Sequence, residues 1–193
     1  MVYARLPADR FGEALKDDVT ALSRLQMPNG GWGYGPDHPT TKLRQDWTDA
    51  SNSQMAVLAL AEAAAAGAAV KGEVWARARD YWEKSQNPDG GWGYEPPGAK
   101  VIRLRGTSHG SMTAAGLASY LLIAGQLAAG GDEKKAASPA VALKAADWLN
   151  KNFSLASMPG WVWSKNEEWV YFYLWKLSRA AGLCGLRNLG SAD

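Results

Sequence analysis

The sequence has very few of the residues that usually build metal or redox sites. Its 193 residues include one cysteine, Cys184, and two histidines, His38 and His109. A single cysteine excludes an internal disulfide. Two widely separated histidines and one cysteine also lack the spacing of a zinc site. We therefore expect no metal and no cofactor.

An excess of charge of one sign and a long apolar run are also missing. The net charge is only +2 and the signs are interleaved, so no surface for nucleic acid is predicted. The longest nearly apolar run, Met112 to Gly125, is shorter than the roughly 20 residues that a membrane span needs. No signal-peptide leader follows Met1. The default expectation is a cytoplasmic protein without a transmembrane segment.

Tryptophan, in contrast, is abundant, and much of it belongs to a repeated turn motif. Residues 26–32 read Gln-Met-Pro-Asn-Gly-Gly-Trp, and residues 86–92 read Gln-Asn-Pro-Asp-Gly-Gly-Trp. Pro followed by Asn-Gly or Asp-Gly specifies a turn. A third, degenerate copy runs from Met158 to Trp163. Repeats at a fixed period of tens of residues indicate stacked structural units.

The apolar pattern predicts six helices in three hairpins. They are expected at about 11–26, 51–66, 73–86 and 111–127, then from Ser138-Pro139 onward, and at about 165–181 with a stop at Gly182. The first, third and fifth are amphipathic, whereas the second, fourth and sixth are apolar nearly all round and need cover on both sides. The predicted fold is all-α: an array of αα-hairpins forming a partial α/α toroid, with outer and inner helices alternating. One domain spans 1–193, with repeat units at roughly 11–67, 73–130 and 138–182.

The two good turn motifs share the pattern Gln-x-x-x-Gly-x-Trp, which resembles the Gln-Trp repeat of squalene and oxidosqualene cyclases. The chain is similar, more broadly, to bacterial proteins with prenyltransferase and squalene-oxidase repeats. In that family the glutamine braces a helix end and the tryptophan stacks over it. The resemblance implies this structural role for six residues: Gln26, Gly30, Trp32, Gln86, Gly90 and Trp92.

The resemblance also implies an apolar, aromatic-lined concavity for an isoprenoid or lipid-like ligand. An enzyme of this kind would be a terpenoid cyclase-like isomerase or lyase. However, the Asp-x-Asp-Asp acid of squalene-hopene cyclases is absent, and the nearest string, Asp46-Trp47-Thr48-Asp49, has different spacing. Whether the chain catalyses a reaction of its own therefore stays open.

Three residues near predicted inner-helix starts are candidates for acid–base chemistry: Asp49, His109 and Glu168. Each also has a structural interpretation, because polar residues at helix starts commonly serve as caps or interact with the helix dipole. Ser51 with Gln54, and Ser164 with Glu167, fit capping boxes.

Four aromatic residues of the sixth helix are candidates for a ligand-binding wall that could stabilise a carbocation: Trp169, Tyr171, Tyr173 and Trp175. Aromatic residues at helical spacing are also common in a core, so both interpretations stand at this point.

Two other functions remain open. The concavity could bind a protein instead of a lipid, as a non-catalytic interaction module. A polysaccharide lyase-like toroid is the other alternative, with Arg103, Arg105 and His109 as the local candidates. Six helices are fewer than a closed toroid needs, and the sixth is aromatic on both sides. We therefore expect a fragment of a longer protein, a homodimer of half-toroids, or a larger-chain partner that covers the last repeat.

Overall fold

The computed structural model of the protein describes residues 8–35, 47–96, 106–131, 137–162, 169–185 and 188–190. These residues form six helices and no strand. The helices are α1 (Ala8–Arg24), α2 (Ala50–Ala65), α3 (Gly72–Ser85), α4 (Gly110–Ala129), α5 (Pro139–Lys151) and α6 (Val170–Cys184). The predicted all-α class is confirmed, and the bounds of the first five helices lie within three residues of those predicted.

The inner helices form a row with α4 in the middle. Helix α4 contacts α2 on one side and α6 on the other, and it also contacts the outer helices α3 and α5, while α1 packs on α2. Every residue from 111 to 120 of α4 is buried. This is what a helix that is apolar all round requires. The alternation of inner and outer helices is therefore present in the fold.

The outer helices bury one face each, as their periodicity predicts. In α3 the residues Val74, Ala78, Tyr81, Trp82 and Ser85 are all buried. Their spacing of three or four residues places them on one side of the helix. The outer layer thus covers the row of inner helices with an amphipathic face.

The two turn motifs make the same hydrogen bonds. The Gln26 side-chain amide donates to the carbonyl oxygens of Gly30 (2.9 Å) and Val74 (3.0 Å), at the start of α3. The Gln86 amide donates in the same way to Gly90 and to Val141 of α5, both at 2.9 Å. Each glutamine therefore ties its own turn to the first turn of the next outer helix.

The glycine of each motif allows a close approach of two backbones. Gly30 has φ +91° and Gly90 has φ +92°, a backbone region that residues with a side chain rarely adopt. A Cβ on Gly30 would overlap the carbonyl oxygen of Arg77 in α3, and one on Gly90 would lie 2.7 Å from the carbonyl oxygen of Lys144 in α5. Only glycine fits either position.

The turns also hold the starts of the inner helices. The backbone N–H of Asp49 donates to the Trp32 carbonyl, and that of His109 donates to the Trp92 carbonyl, both at 3.1 Å. The next residue of each helix donates to the following turn: Ala50 to Tyr94 (2.9 Å) and Gly110 to Pro159 (2.8 Å). The degenerate third turn thus keeps this function. As a result, the N-termini of α2 and α4 are fixed side by side.

Two predicted helix ends were wrong. The N-cap of α2 is Asp49, whose carboxylate accepts from the Asn52 N–H, so the capping box of Ser51 with Gln54 does not form. Helix α6 runs past Gly182 to Cys184, and Gly185 ends it with φ +65° and an N–H bond to the Ala181 carbonyl. A helix ends where the left-handed residue lies. The predicted start of the sixth helix, from Lys165, falls outside the described residues.

Among the described helices, α4 alone has the length and hydropathy of a membrane span. Of its most apolar 18-residue window, 61% is buried inside the protein. A core helix has the same properties, so they are weak grounds for a transmembrane segment.

Candidate functional site

Asp49 is a fully buried carboxylate at the start of α2. Asn52 donates its backbone N–H to Oδ1 (2.8 Å) and its side-chain amide to Oδ2 (2.7 Å). Burial raises the pKa of Asp49, and the hydrogen bonds from Asn52 oppose that rise. Both oxygens therefore have a partner, as expected for a helix cap.

His109 occupies the corresponding position at the start of α4 but makes no cap with its side chain. It is buried, and its Nδ1 lies 3.1 Å from the Ser111 hydroxyl oxygen. Its Nε2 is buried with no hydrogen-bond partner among the described residues. Burial, and secondarily the charge of Lys176, lower the pKa of His109 to about 4. The imidazole is therefore neutral at pH 7.

Lys176 is the functional candidate that sequence reasoning missed. It lies in the second turn of α6 and is 0% exposed. Its Nζ donates to Gln54 Oε1 of α2 and lies 4.4 Å from the centre of the Phe172 ring and 5.6 Å from that of Trp175. No carboxylate of the described residues lies within salt-bridge distance of it. Burial lowers the pKa of Lys176 to about 7, although the negative charge of Asp49 opposes the change.

These side chains form one polar cluster, which we define as Asp49, Gln54, His109 and Lys176. The Lys176–Gln54 hydrogen bond joins α6 to α2. The charge of Lys176 affects the pKa of His109, and the charge of Asp49 affects that of Lys176. All four residues are buried. The structure thus brings together two predicted candidates, Asp49 and His109, inside the protein.

The third predicted acid–base residue, Glu168, lies outside the described residues, as do Arg103 and Arg105. The sequence did contain a feature that could have identified Lys176 as a functional candidate. It is the only charged residue between Val170 and Leu177, in a run that is otherwise aromatic or aliphatic. A lone lysine in such a run must either extend its methylene chain so that the ammonium reaches water, or be buried with hydrogen-bond or aromatic partners.

The four predicted wall residues of α6 do not share one surface. Tyr173 is fully buried, with its ring against Gly110 at the start of α4. Tyr171 is 83% exposed, and Trp169 and Trp175 are 43% and 44% exposed. Successive odd positions of a helix point in different directions, because each residue advances by about 100°. Of the four, Trp169 and Trp175 lie near the polar cluster. Trp169 packs against Phe172, and the Trp175 ring faces the Lys176 ammonium.

A continuous aromatic path connects His109 with Lys176. The His109 ring packs edge-on against Trp161 at 5.3 Å, and Trp161 lies 6.1 Å from Trp169. Trp169 then packs against Phe172 at 6.0 Å, and Phe172 carries the Lys176 ammonium on its face. We call Trp161, Trp169 and Phe172 the aromatic arc. Because Trp169 is partly exposed, the arc leads from the surface to the polar cluster.

The partners of Asp49 and Phe172 bear on the predicted cyclase chemistry. The Asp49 carboxylate accepts two hydrogen bonds from Asn52, which favour its ionised form over the protonated form that a proton donor needs. The Phe172 face, which could stabilise a carbocation, already holds an ammonium. In the part of the chain that the structure describes, no three His, Cys, Asp or Glu side chains come together as metal ligands.

A surface groove of about 220 Å³ lies elsewhere, between the first turn motif and α3. Its lining includes Asn29, Arg77, Tyr81 and Lys84, and no member of the polar cluster. It is shaped by the same turn–helix contact that Gly30 and Gln26 make, so its walls have a structural explanation.

No protein-family model, curated protein or solved structure matches this chain. Its function must therefore be argued from the turn motifs, the polar cluster and the aromatic arc.

Proposed function

We propose that the chain is a squalene-cyclase-like helical repeat domain that binds an isoprenoid or similar lipid-like ligand without cyclising it. The observation that carries the proposal is the aromatic arc, which leads from partly exposed Trp169 to a buried polar cluster. Ligand sites are typically apolar and aromatic, with a few polar groups that converge and have perturbed pKa values. The arc and the cluster together have this composition.

The repeat architecture supports the same proposal. Two turn motifs with equivalent glutamine, glycine and tryptophan contacts build stacked helix pairs, as the resemblance to squalene cyclases implies. Two features support the absence of cyclisation in this proposal. Asp49 has both oxygens engaged by Asn52, and the Lys176 ammonium lies on the face of the Phe172 ring that could otherwise stabilise a carbocation.

A protein-interaction module is the second candidate, because α6 exposes several large side chains. Trp169, Tyr171, Trp175 and Leu183 are each more than 40% exposed on the last inner helix. Clustered exposed apolar side chains commonly mark interaction surfaces. A module of this kind, however, gives no reason for a buried lysine that has no carboxylate partner among the described residues, so we favour the lipid-like ligand.

Intrinsic tryptophan fluorescence tests the proposal, because two tryptophans belong to the arc. Farnesol is titrated into the purified protein, and we expect saturable quenching or a spectral shift. Phe172→Leu removes one ring of the arc while it keeps an apolar side chain, and should weaken binding about tenfold, or about 1.4 kcal/mol. Tyr171→Leu, at an exposed neighbouring position, is the matched control and should bind like the wild type.

Turnover is tested separately by incubation with squalene and analysis of the extract by gas chromatography and mass spectrometry. We expect squalene to be recovered unchanged, and a cyclised product that disappears in Asp49→Asn would overturn the non-catalytic part of the proposal. Farnesol binding that is absent, or equally strong in Phe172→Leu, would overturn the ligand site and favour the interaction module.

A further inference from the structure

The polar cluster contains more hydrogen-bond donors than the described residues of the protein use. Lys176 fixes the orientation of the Gln54 amide, because an ammonium can only donate and must therefore face Oε1. The two N–H groups of Gln54 Nε2 then point elsewhere and have no partner among the described residues. A buried donor without a partner costs about 1–3 kcal/mol, so such an atom needs a functional explanation.

His109 adds a second donor of this kind from another helix. When the Ser111 hydroxyl donates to Nδ1, the neutral imidazole carries its proton on Nε2. This atom is buried and unpartnered within the described part of the chain. Lys176 supplies the third donor, since an ammonium has three N–H groups and Gln54 accepts only one. Inner helices α2, α4 and α6 thus contribute one donor each.

The charges of the cluster limit which ligands these donors can bind. Lys176 is its only cation, and the Asp49 carboxylate is already held by Asn52 at the N-terminus of α2. One buried ammonium can compensate one negative charge, whereas a dianion would leave charge unpaired in an apolar environment. The donors therefore suit a monoanion with two acceptor atoms more than a phosphate or diphosphate.

We propose that Gln54, His109 and Lys176 bind the carboxylate head group of an amphipathic ligand whose apolar tail contacts the aromatic arc. The inference rests on the proposed function and adds the chemistry of the head group. The lysine ammonium forms a charge-assisted hydrogen bond with one carboxylate oxygen. The glutamine amide and the imidazole N–H bind the remaining lone pairs. Trp169 and Phe172 contact the first carbons of the tail, because they lie between the cluster and the surface.

The test compares ligands that share one tail and differ in the head group. Farnesoic acid and farnesol are titrated by tryptophan fluorescence at pH 6.5, with palmitic acid as a straight-chain carboxylate. The wild type should bind farnesoic acid at least tenfold more tightly than farnesol. Comparable affinity for palmitic acid would identify a fatty acid as an equally good source of the carboxylate, whereas weaker binding would identify an isoprenoid acid.

Lys176→Met removes the charge and keeps a similar side-chain length. It should abolish the tenfold preference for farnesoic acid over farnesol. Gln54→Leu is the second variant, because it removes the free amide and the acceptor of the Lys176 ammonium while it keeps the lysine charge. It should reduce the preference about threefold to tenfold. Lys144→Met, on the exposed side of α5, is the control and should keep the preference. Circular dichroism checks that each variant is folded.

The possible failures are distinguishable. Equal affinities for farnesoic acid and farnesol in the wild type would overturn the carboxylate site but leave the proposed lipid-binding function intact. A preference that persists in both Lys176→Met and Gln54→Leu would also overturn it, since the carboxylate would then bind elsewhere. No binding of any of the three ligands would overturn the proposed function together with this inference.

Discussion

Replacement of Lys176 by methionine should change how the stability of this protein depends on pH. In the unfolded chain the lysine keeps its proton up to its ordinary pKa of 10.5, whereas burial lowers the folded-state pKa to about 7. Between these values the unfolded state binds more protons than the folded state. The free energy of unfolding of the wild type therefore rises as the pH rises through this window.

The size of the effect follows from the two pKa values. Each unit of difference corresponds to about 1.4 kcal/mol, so the buried ammonium costs on the order of 5 kcal/mol at pH 6 and on the order of 1.5 kcal/mol at pH 9.5. Against the cost at pH 6, where Lys176 is charged, it gains a cation–π contact with Phe172 of about 1–2 kcal/mol and a hydrogen bond to Gln54 whose loss costs about 1–3 kcal/mol. Lys176→Met should be as stable as the wild type, or more stable, at pH 6.

Urea unfolding of both proteins at pH 6 and pH 9.5 measures the prediction. The stability of Lys176→Met relative to the wild type should fall by about 3 kcal/mol from the lower to the higher pH. The Cys184 thiol, whose pKa burial raises above its ordinary value of 9.0, contributes equally to both proteins and cancels in this difference. Lys144→Met, at an exposed position, should show no such change. If the free energy of unfolding of Lys176→Met differs from that of the wild type by the same amount at both pH values, the lowered pKa of Lys176 is refuted.

Five further substitutions test the turns and the cap. Gly30→Ala should destabilise the protein by about 2–4 kcal/mol in urea unfolding, because it adds a clash with the Arg77 carbonyl to the positive φ. Gly35→Ala, with φ +92° but open space around it, should cost only about 1–2 kcal/mol, and equal losses would contradict the close approach. Gln86→Leu should cost about 1–3 kcal/mol in thermal unfolding because it removes two partly buried hydrogen bonds, and an unchanged melting temperature would rule out the bracing role. Asp49→Asn should cost less than about 0.5 kcal/mol and Asp49→Ala about 1–2 kcal/mol at pH 7; equal losses in the two variants, which both remove the charge, would show that the charge matters more than the cap.

Local chemistry made the helices and the turn motifs predictable. Pro followed by Asn-Gly or Asp-Gly specified turns at residues 26–32 and 86–92, and the apolar periodicity of α3 identified its buried face correctly. The stop at Gly182 was wrong, since either of two glycines near the end of α6 could adopt the left-handed conformation and Gly185 does so. Such choices depend on where the chain must turn to pack, which a local pattern does not contain.

The candidate site was predictable only in part. Asp49 and His109 were found because they stand at equivalent positions of the repeat, before helices whose apolar character could be seen in the sequence. Their hydrogen-bond partners were not predicted. Asn52 binds both oxygens of Asp49, whereas Nε2 of His109 has no partner among the described residues.

The sequence alone determined the all-α class, the repeat and the alternation of inner and outer helices, because these depend on residues close together in the chain. Tertiary structure decided the polar cluster. Gln54, His109 and Lys176 are more than fifty residues apart, and they meet only because the turns hold α2, α4 and α6 side by side. A buried ammonium is tolerated there since Gln54 accepts a hydrogen bond from it and Phe172 offers its ring face, and both partners depend on how α6 is rotated against its neighbours.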